Sequence, residues 1–349
     1  MQSNVTVADP PLDDQLDERK LRRRALQIVA LLAVIGIVVW LAPGLGEVRR
    51  RLEGAEAGWL LVGIALEALS CLSYVLMFRP IFCPHMSRRT ARELGLSELA
   101  VGSLLPSSGI GGLALGAWAL RKGGMPAEHI ARRSVAFYVL KGAANFLAVA
   151  VIGVLMFVGV GPAVSPLLSI LPAGLAVLTI AAVMAVPLGL RRASARADRG
   201  GRWTAVAKAL QALADGLAEA GEVLRRRDWR VIAGSLGYWA FDNAVLWACF
   251  RAFDEAVPVT VVLMAYLIGQ LGGLIPIPGG IGGVDGGLIG ALVVYGVGAG
   301  VATAAVLAYR LILFWLPLLV GSVAFASLRR GLADRGRPDI CEFSPVIAP

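Results

Sequence analysis

The sequence has little charge, few cysteines and almost no histidine. Charged residues make up 16% of its 349 residues, the two histidines are far apart, and the four cysteines are scattered. Without a Cys-x-x-Cys pair or a His/Cys cluster, the sequence predicts neither a disulfide framework nor a zinc site. Cys71 and Cys249 are interpreted as small apolar residues.

The sequence also lacks the motifs of common enzymes. It has no Gly-x-x-x-x-Gly-Lys-Ser/Thr loop, which argues against direct use of ATP, and no Gly-x-Ser-x-Gly motif. Ser107 and Ser108 have no nearby base and are interpreted as turn residues. We therefore predict a transporter-like protein with no catalytic residues, no metal and no cofactor.

Apolar residues dominate the chain. Hydrophobic residues make up 57% of it, and its mean hydropathy is +0.73, which is typical of an integral membrane protein. We predict an all-α polytopic membrane protein with about six full spans in one transmembrane domain, 25–328, between a polar N-terminus, 1–24, and a polar tail, 329–349. The predicted spans cover about 25–42, 58–78, 134–159, 167–189, 229–251 and 301–327.

The basic residues predict how the spans are oriented. With the N-terminus inside, 27 of the 33 Lys and Arg residues fall in inner segments, as the positive-inside rule requires. We therefore predict a multi-pass protein of the inner (plasma) membrane with both termini cytoplasmic. This bias explains most of the net charge of +9 without nucleic acid as a partner.

Segment 274–288 interrupts the apolar sequence more than any other. It holds Pro276, Pro278 and six glycines between Gly279 and Gly287, so no continuous helix is expected through it. Irregular backbone survives at membrane depth only where it is buried in protein or lines a cavity. Two interpretations are open: two half-helices that meet within the membrane, or a tight turn with glycines for close packing.

Two such breaks separate apolar arms that are too short to cross a bilayer. One lies between Leu94–Leu105 and Ile110–Leu120, and the other lies between 259–275 and 284–297. A spanning helix needs about 20 residues. The arms therefore predict two re-entrant broken-helix hairpins, each of which enters and leaves on one face of the membrane.

The order helix, hairpin, helix occurs twice. A shift of 171 residues aligns Gly109–Gly112 with Gly280–Gly283 and Tyr138 with Tyr309. Spans 2 and 5 run in opposite directions, so repeat 1 (about 58–159) and repeat 2 (about 229–327) form an inverted repeat. In transporters, paired broken segments in inverted halves indicate a substrate site near the midplane.

Segment 203–227 differs from the spans. Its apolar residues recur at helical spacing and predict an amphipathic helix; they are Trp203, Val206, Leu210, Leu213, Leu217 and Leu224. Two locations are open for this helix: on the membrane surface, or packed against the protein's own loops.

The string Pro278–Gly286 is followed by Tyr309, Arg310 and a Trp-Leu-Pro helix at 315–317. This order resembles the transmembrane domain of lysylphosphatidylglycerol synthases and their stand-alone, flippase-like relatives. The resemblance implies lipid translocation without the soluble synthase domain, since only a short tail follows span 6. In two respects the sequence departs from the family: Asp285 replaces the usual Glu, and Gly109–Gly116 lacks the usual Arg and Glu.

Two intramembrane cations, Arg310 and Lys141, follow the two breaks. Our hypothesis is that they hold an anionic headgroup, Arg through a bidentate fork and Lys as a point charge. The alternative is an internal salt bridge, such as one between Arg310 and Asp285. Two further roles stay open for Asp285: to bind a proton, or to meet a cationic headgroup. Free N–H groups of the half-helices also suit phosphate. The predicted site further includes Tyr309, Gly109, Gly111, Gly279, Gly280, Gly282 and Gly283.

Three polar residues lie mid-span: Asp242, Asn243 and Glu67. Three roles are open for them: to carry coupling protons, to line the lipid path, or to form hydrogen bonds between helices. We predict a translocase that moves a phospholipid or polyprenyl-linked lipid, with an anionic headgroup, between leaflets. The alternatives are an intramembrane transferase and an accessory subunit, each acting on lipid-linked envelope precursors.

Overall fold

In the computed structural model, the described residues are Leu26, 46–104, 110–162, 165–197, 204–271 and 283–334, and within these ranges the chain forms helices and no strand. Apolar sequence adopts helices because they satisfy every backbone N–H and C=O internally. The helices are α1 (Gly46–Glu53), α2 (Ala57–Leu76), α3 (Phe78–Phe82), α4 (Arg88–Leu104), α5 (Ile110–Lys122), α6 (Ala127–Phe157), α7 (Pro166–Ala197), α8 (Thr204–Arg225), α9 (Trp229–Ala252), α10 (Val259–Leu271), α11 (Gly283–Val294) and α12 (Ala299–Asp334).

Four described segments are long and apolar enough to cross a membrane. They are Ala57–Phe82, Ala127–Phe157, Pro166–Ala185 and Ala299–Leu332. The outward side chains are apolar as well: Leu167 and Leu178 of α7 are two-thirds exposed, as expected of residues that face lipid. The prediction of an all-α membrane protein is confirmed.

Two predicted spans differ from these four. The first, at about 25–42, lies outside the described residues except for Leu26. The fifth corresponds to α9, whose 24 residues are long enough to span but include Arg230, Asp242 and Arg251. The number of spans therefore stays a prediction.

The arms of both predicted hairpins are short helices that pack in pairs, α4 against α5 and α10 against α11. At 1.5 Å per residue they are about 18–26 Å long, less than the roughly 30 Å of a hydrocarbon core. A Cβ atom on Gly112 of α5 would lie 2.5 Å from the carbonyl oxygen of Glu98 in α4. Glycine therefore permits close packing there, whereas both breaks, 105–109 and 272–282, lie outside the described residues.

The packing relates the two predicted repeats. Gly63 and Ser70 of α2 lie beside Val245 and Tyr238 of α9, so these equivalent helices run antiparallel. Hairpin helix α4 packs against α12, and hairpin helix α10 packs against α6. Each pair of short helices thus contacts the last helix of the other predicted repeat, and the inverted repeat itself stays a prediction.

The amphipathic helix α8 packs against α6 and α7. Glu219 forms an ion pair with Arg133 of α6 at 3.1 Å, and Ala220 is buried. Leu213 and Leu224 stay exposed. The alternative named loops as the packing surface, whereas the small-residue face of α8 packs against two helices. Contact of the leucines with a membrane surface stays a prediction.

The bonding of the cysteines was predicted only in part. Cys71 and Cys249 are buried free thiols, as predicted. Cys83, however, is disulfide-bonded. The sequence argued only against a disulfide framework, and this single bond was not predicted, because distances along the sequence do not show which cysteines the fold brings together.

Candidate functional site

A buried carboxylate occupies the middle of α9. Asp242 is 6% exposed and accepts a hydrogen bond from the hydroxyl of Tyr309 in α12 at 3.0 Å. Its other oxygen accepts from the hydroxyl of Tyr266 in α10. A carboxylate in an apolar interior needs such donors, so this residue ties three helices together.

A second carboxylate, Glu67, lies on α2 where that helix faces α9. Glu67 is 5% exposed and interacts electrostatically with Asp242. One of its oxygens accepts a hydrogen bond from the Cys71 thiol at 3.5 Å, and the other has no hydrogen-bond partner among the described residues. The two helices approach closely because Gly234 lies against Met77. The structure therefore brings together two acids that the sequence placed on separate spans.

Lys141 lies within a cage of three tyrosines. Its Nζ atom is 4.6 Å from the ring centroid of Tyr138, 5.4 Å from that of Tyr238 and 5.6 Å from that of Tyr74. These rings come from α6, α9 and α2. Aromatic faces attract a cation, so the ammonium group is stabilised inside the protein.

Glu98 of α4 completes this end of the network, and the sequence analysis missed it. Its carboxylate is buried, accepts a hydrogen bond from Tyr74 at 2.8 Å and attracts Lys141. Gly116 leaves room for it, since a Cβ atom there would overlap its Oε1 atom. The first hairpin therefore does contain an acidic residue, on the arm that precedes its glycines. In the sequence, Glu98 could have been recognised as a single acid within an apolar arm.

Arg310 forms an ion pair with Asp285. Its Nε atom donates to Oδ1 at 2.7 Å, and its Nη2 atom contacts the same oxygen. The side chains are 18% and 17% exposed. The structure thus contains the internal salt bridge that the sequence analysis gave as the alternative, and headgroup binding by Arg310 stays a hypothesis.

The remaining predicted site residues lie apart from these contacts or outside the described ranges. Asn243 donates to the Trp239 carbonyl of its own helix at 2.8 Å and takes no part in the hydrogen bonds of Asp242. Gly111 is buried in α5, and Gly283 begins α11. The placements of Gly109, Gly279, Gly280 and Gly282 lie outside the described residues.

These contacts form one polar network between the hairpins, and it is defined by Glu67, Tyr74, Glu98, Tyr138, Lys141, Tyr238, Asp242, Tyr266, Asp285, Tyr309 and Arg310. Hairpin helices α4, α10 and α11 each contribute to it, as do α2, α6, α9 and α12. Among the described residues, no group of three or more His, Cys, Asp or Glu side chains is placed to hold a metal. The fold and this network define a multi-pass α-helical membrane protein with a charged interior.

The chain belongs to the family described as the lysylphosphatidylglycerol synthase TM region, which it matches over residues 27–321. A UPF0104 membrane protein of Methanothermobacter thermautotrophicus is 25% identical over 341 residues, which cover 88% of this chain and 97% of that relative. A further match with a protein of that name and organism is 37% identical over 91 residues, 26% of each chain. A UPF0104 membrane protein of Methanocaldococcus jannaschii is 31% identical over 109 residues, 30% of this chain and 32% of that relative.

Proposed function

We propose that this protein is a lipid translocase, which moves a phospholipid or a polyprenyl-linked lipid between the two leaflets. The observation that carries the proposal is the polar network. Charged side chains are expensive inside a membrane and occur there mainly where they serve ions, protons or polar substrates. Here they connect two pairs of short helices, the arrangement that transporters use around a midplane site.

The ion pair of Arg310 and Asp285 is the proposed contact for the headgroup. Both side chains are partly exposed, so an incoming group can reach them. A lipid phosphate can replace the carboxylate on the guanidinium, because its oxygens can accept hydrogen bonds from the same two nitrogens, Nε and Nη2. Lys141, enclosed by tyrosine rings, then serves as a second positive charge rather than as a direct ligand.

A transport assay tests this function. The purified protein is reconstituted into vesicles with a phosphatidylglycerol that carries a fluorescent acyl chain, and an impermeant quencher reports the fraction in the outer leaflet. We expect the protein to move the label between leaflets faster than protein-free vesicles do. Arg310→Lys should be slower because Lys lacks the fork, and Arg330→Ala, an exposed site on the same helix, should match the unmodified protein. Equal rates with and without protein would reject the translocase.

We also propose an orientation, with both termini and residues 191–230 on the cytoplasmic side of the plasma membrane. The Lys and Arg distribution supports it. Single cysteines at Pro162 and Ala256, in a protein without other cysteines, should react with an impermeant thiol reagent in sealed cells. A cysteine at Arg196 should react only after the cells are opened, and labelling there in sealed cells would overturn the orientation.

A further inference from the structure

The two carboxylates at the centre of the network accept different numbers of hydrogen bonds. Asp242 accepts hydrogen bonds from two tyrosine hydroxyls. Glu67 accepts one weak bond from a thiol, and its Oε2 atom has no hydrogen-bond partner among the described residues. An ionised carboxylate without donors is strongly disfavoured in an apolar interior. Glu67 therefore lacks the hydrogen-bond donors that would stabilise its ionised form.

The charges around the pair do not compensate it either. The network holds four acids, Glu67, Glu98, Asp242 and Asp285, but only two cations, Lys141 and Arg310. Both cations interact with Asp242, yet Arg310 is paired with Asp285 and Lys141 also attracts Glu98. Among the described residues, the other titratable groups that interact with the pair are a thiol and phenols, which are neutral hydrogen-bond donors at neutral pH; they are Cys71, Tyr238, Tyr266 and Tyr309.

We propose that Glu67 and Asp242 share one proton, and that this proton moves together with the lipid. The first half of this proposal stands on the two carboxylates alone, and the second half rests on the proposed translocase function. A proton from water binds the Oε2 atom of Glu67 and leaves again from the same atom. No other bond forms or breaks.

The coupling follows from charge. A deprotonated pair adds a negative charge near Arg310 and Lys141 and repels an anionic headgroup. A protonated pair removes that repulsion. Binding of the proton and of the anionic lipid therefore favour one another, and by linkage each raises the affinity for the other equally. The expected process is joint transport of one proton and one anionic lipid in the same direction.

Infrared difference spectroscopy tests whether the pair holds a proton, and it requires no transport measurement. The protein in lipid nanodiscs is titrated with base, and the carbonyl stretch of a protonated carboxyl group is followed. We expect this band at neutral pH in the unmodified protein and in Glu128→Gln, which changes an exposed acid. The isosteric Glu67→Gln should lose the band. The same band in Glu67→Gln as in the unmodified protein would overturn the proposal.

A gradient experiment tests the coupling. Vesicles with the fluorescent phosphatidylglycerol evenly distributed receive a difference of one pH unit across the membrane. If one proton accompanies each lipid, the ratio between leaflets shifts by up to about tenfold, because one pH unit is a tenfold ratio of protons. Glu128→Gln should shift equally, and Glu67→Gln should keep the even distribution.

The outcomes separate the two proposals. If no lipid moves in the unmodified protein under any condition, the translocase is rejected, while the infrared band still decides whether the pair holds a proton. If lipid moves but the pH difference leaves its ratio even, the coupling is rejected and the translocase stands. A ratio that follows a sodium difference instead of a pH difference would also overturn the proton proposal.

Discussion

The two ends of the polar network hold their cations in different ways. Lys141 is surrounded by the rings of Tyr74, Tyr138 and Tyr238, and the acid Glu98, which attracts it, is buried. Arg310 is bound directly to a partly exposed carboxylate at the start of α11. The ring cage leaves the ammonium no exchangeable anion, whereas a direct ion pair can exchange its carboxylate for another anion. The difference favours the Arg310 end as the proposed headgroup contact and gives the Lys141 end the role of a fixed charge in that proposal.

The largest expected effect is at the ion pair. Arg310→Ala leaves Asp285 without its cation, and breaking one partner of a buried pair costs roughly 3–5 kcal/mol. We expect a strongly lowered thermal midpoint in detergent. Adding Asp285→Ala to this variant should recover most of the loss, because no unpaired charge remains. A single variant as stable as the unmodified protein would show that this pair contributes nothing to the folded state.

The next largest expected effect is a difference in stability between two glycine substitutions, one in each pair of short helices. A methyl group at Gly112 of α5 would lie 2.5 Å from the carbonyl oxygen of Glu98, whereas one at Gly290 of α11 would meet no atom within 4 Å. We expect Gly112→Ala to destabilise by about 1–3 kcal/mol through overpacking. Gly290→Ala should be neutral or stabilise by up to about 1 kcal/mol, since alanine favours a helix. Parallel thermal melts measure both, and equal shifts would argue against close contact between α4 and α5.

The smallest effect concerns the ring cage. Replacing Tyr138 by phenylalanine or by leucine removes the hydroxyl in both cases, but only leucine removes the ring. A cation–ring contact is worth about 0.5–2 kcal/mol, so Tyr138→Leu should melt lower than Tyr138→Phe by a corresponding amount. In a Lys141→Met background the two variants should differ less. If the two variants differ in thermal midpoint by the same amount with and without Lys141, the Tyr138 ring contributes packing and no cation–ring attraction.

Sequence alone predicted the features that depend on composition and length. Long apolar runs gave the helices, and short interrupted runs gave the arms of the paired helices α4–α5 and α10–α11. The shift of 171 residues aligned Tyr138 with Tyr309, and the structure places one of them over Lys141 and the other against Asp242. Mid-span position alone was enough to select Asp242 and Glu67.

The sequence alone did not predict which residues of distant helices are in contact. Tyr266 and Glu98 lie in runs that look like ordinary apolar arms, and nothing in their neighbours shows that they meet Asp242 and Lys141. Their partners lie on α9 and α6, other helices of the same repeat, and the sequence does not show how these helices pack. The sequence did offer the pairing of Arg310 with Asp285 as an alternative, but the choice required the distance between the two side chains.

The double variant Arg310→Ala with Asp285→Ala tests the central claim most directly. It removes the proposed headgroup contact and leaves no unpaired charge, so a loss of transport cannot be ascribed to unfolding once a thermal melt shows recovered stability. In the vesicle assay, we predict that this well-folded protein moves the fluorescent phosphatidylglycerol no faster than protein-free vesicles do. Transport at the rate of the unmodified protein would contradict the claim that the Arg310 end of the network holds the lipid headgroup.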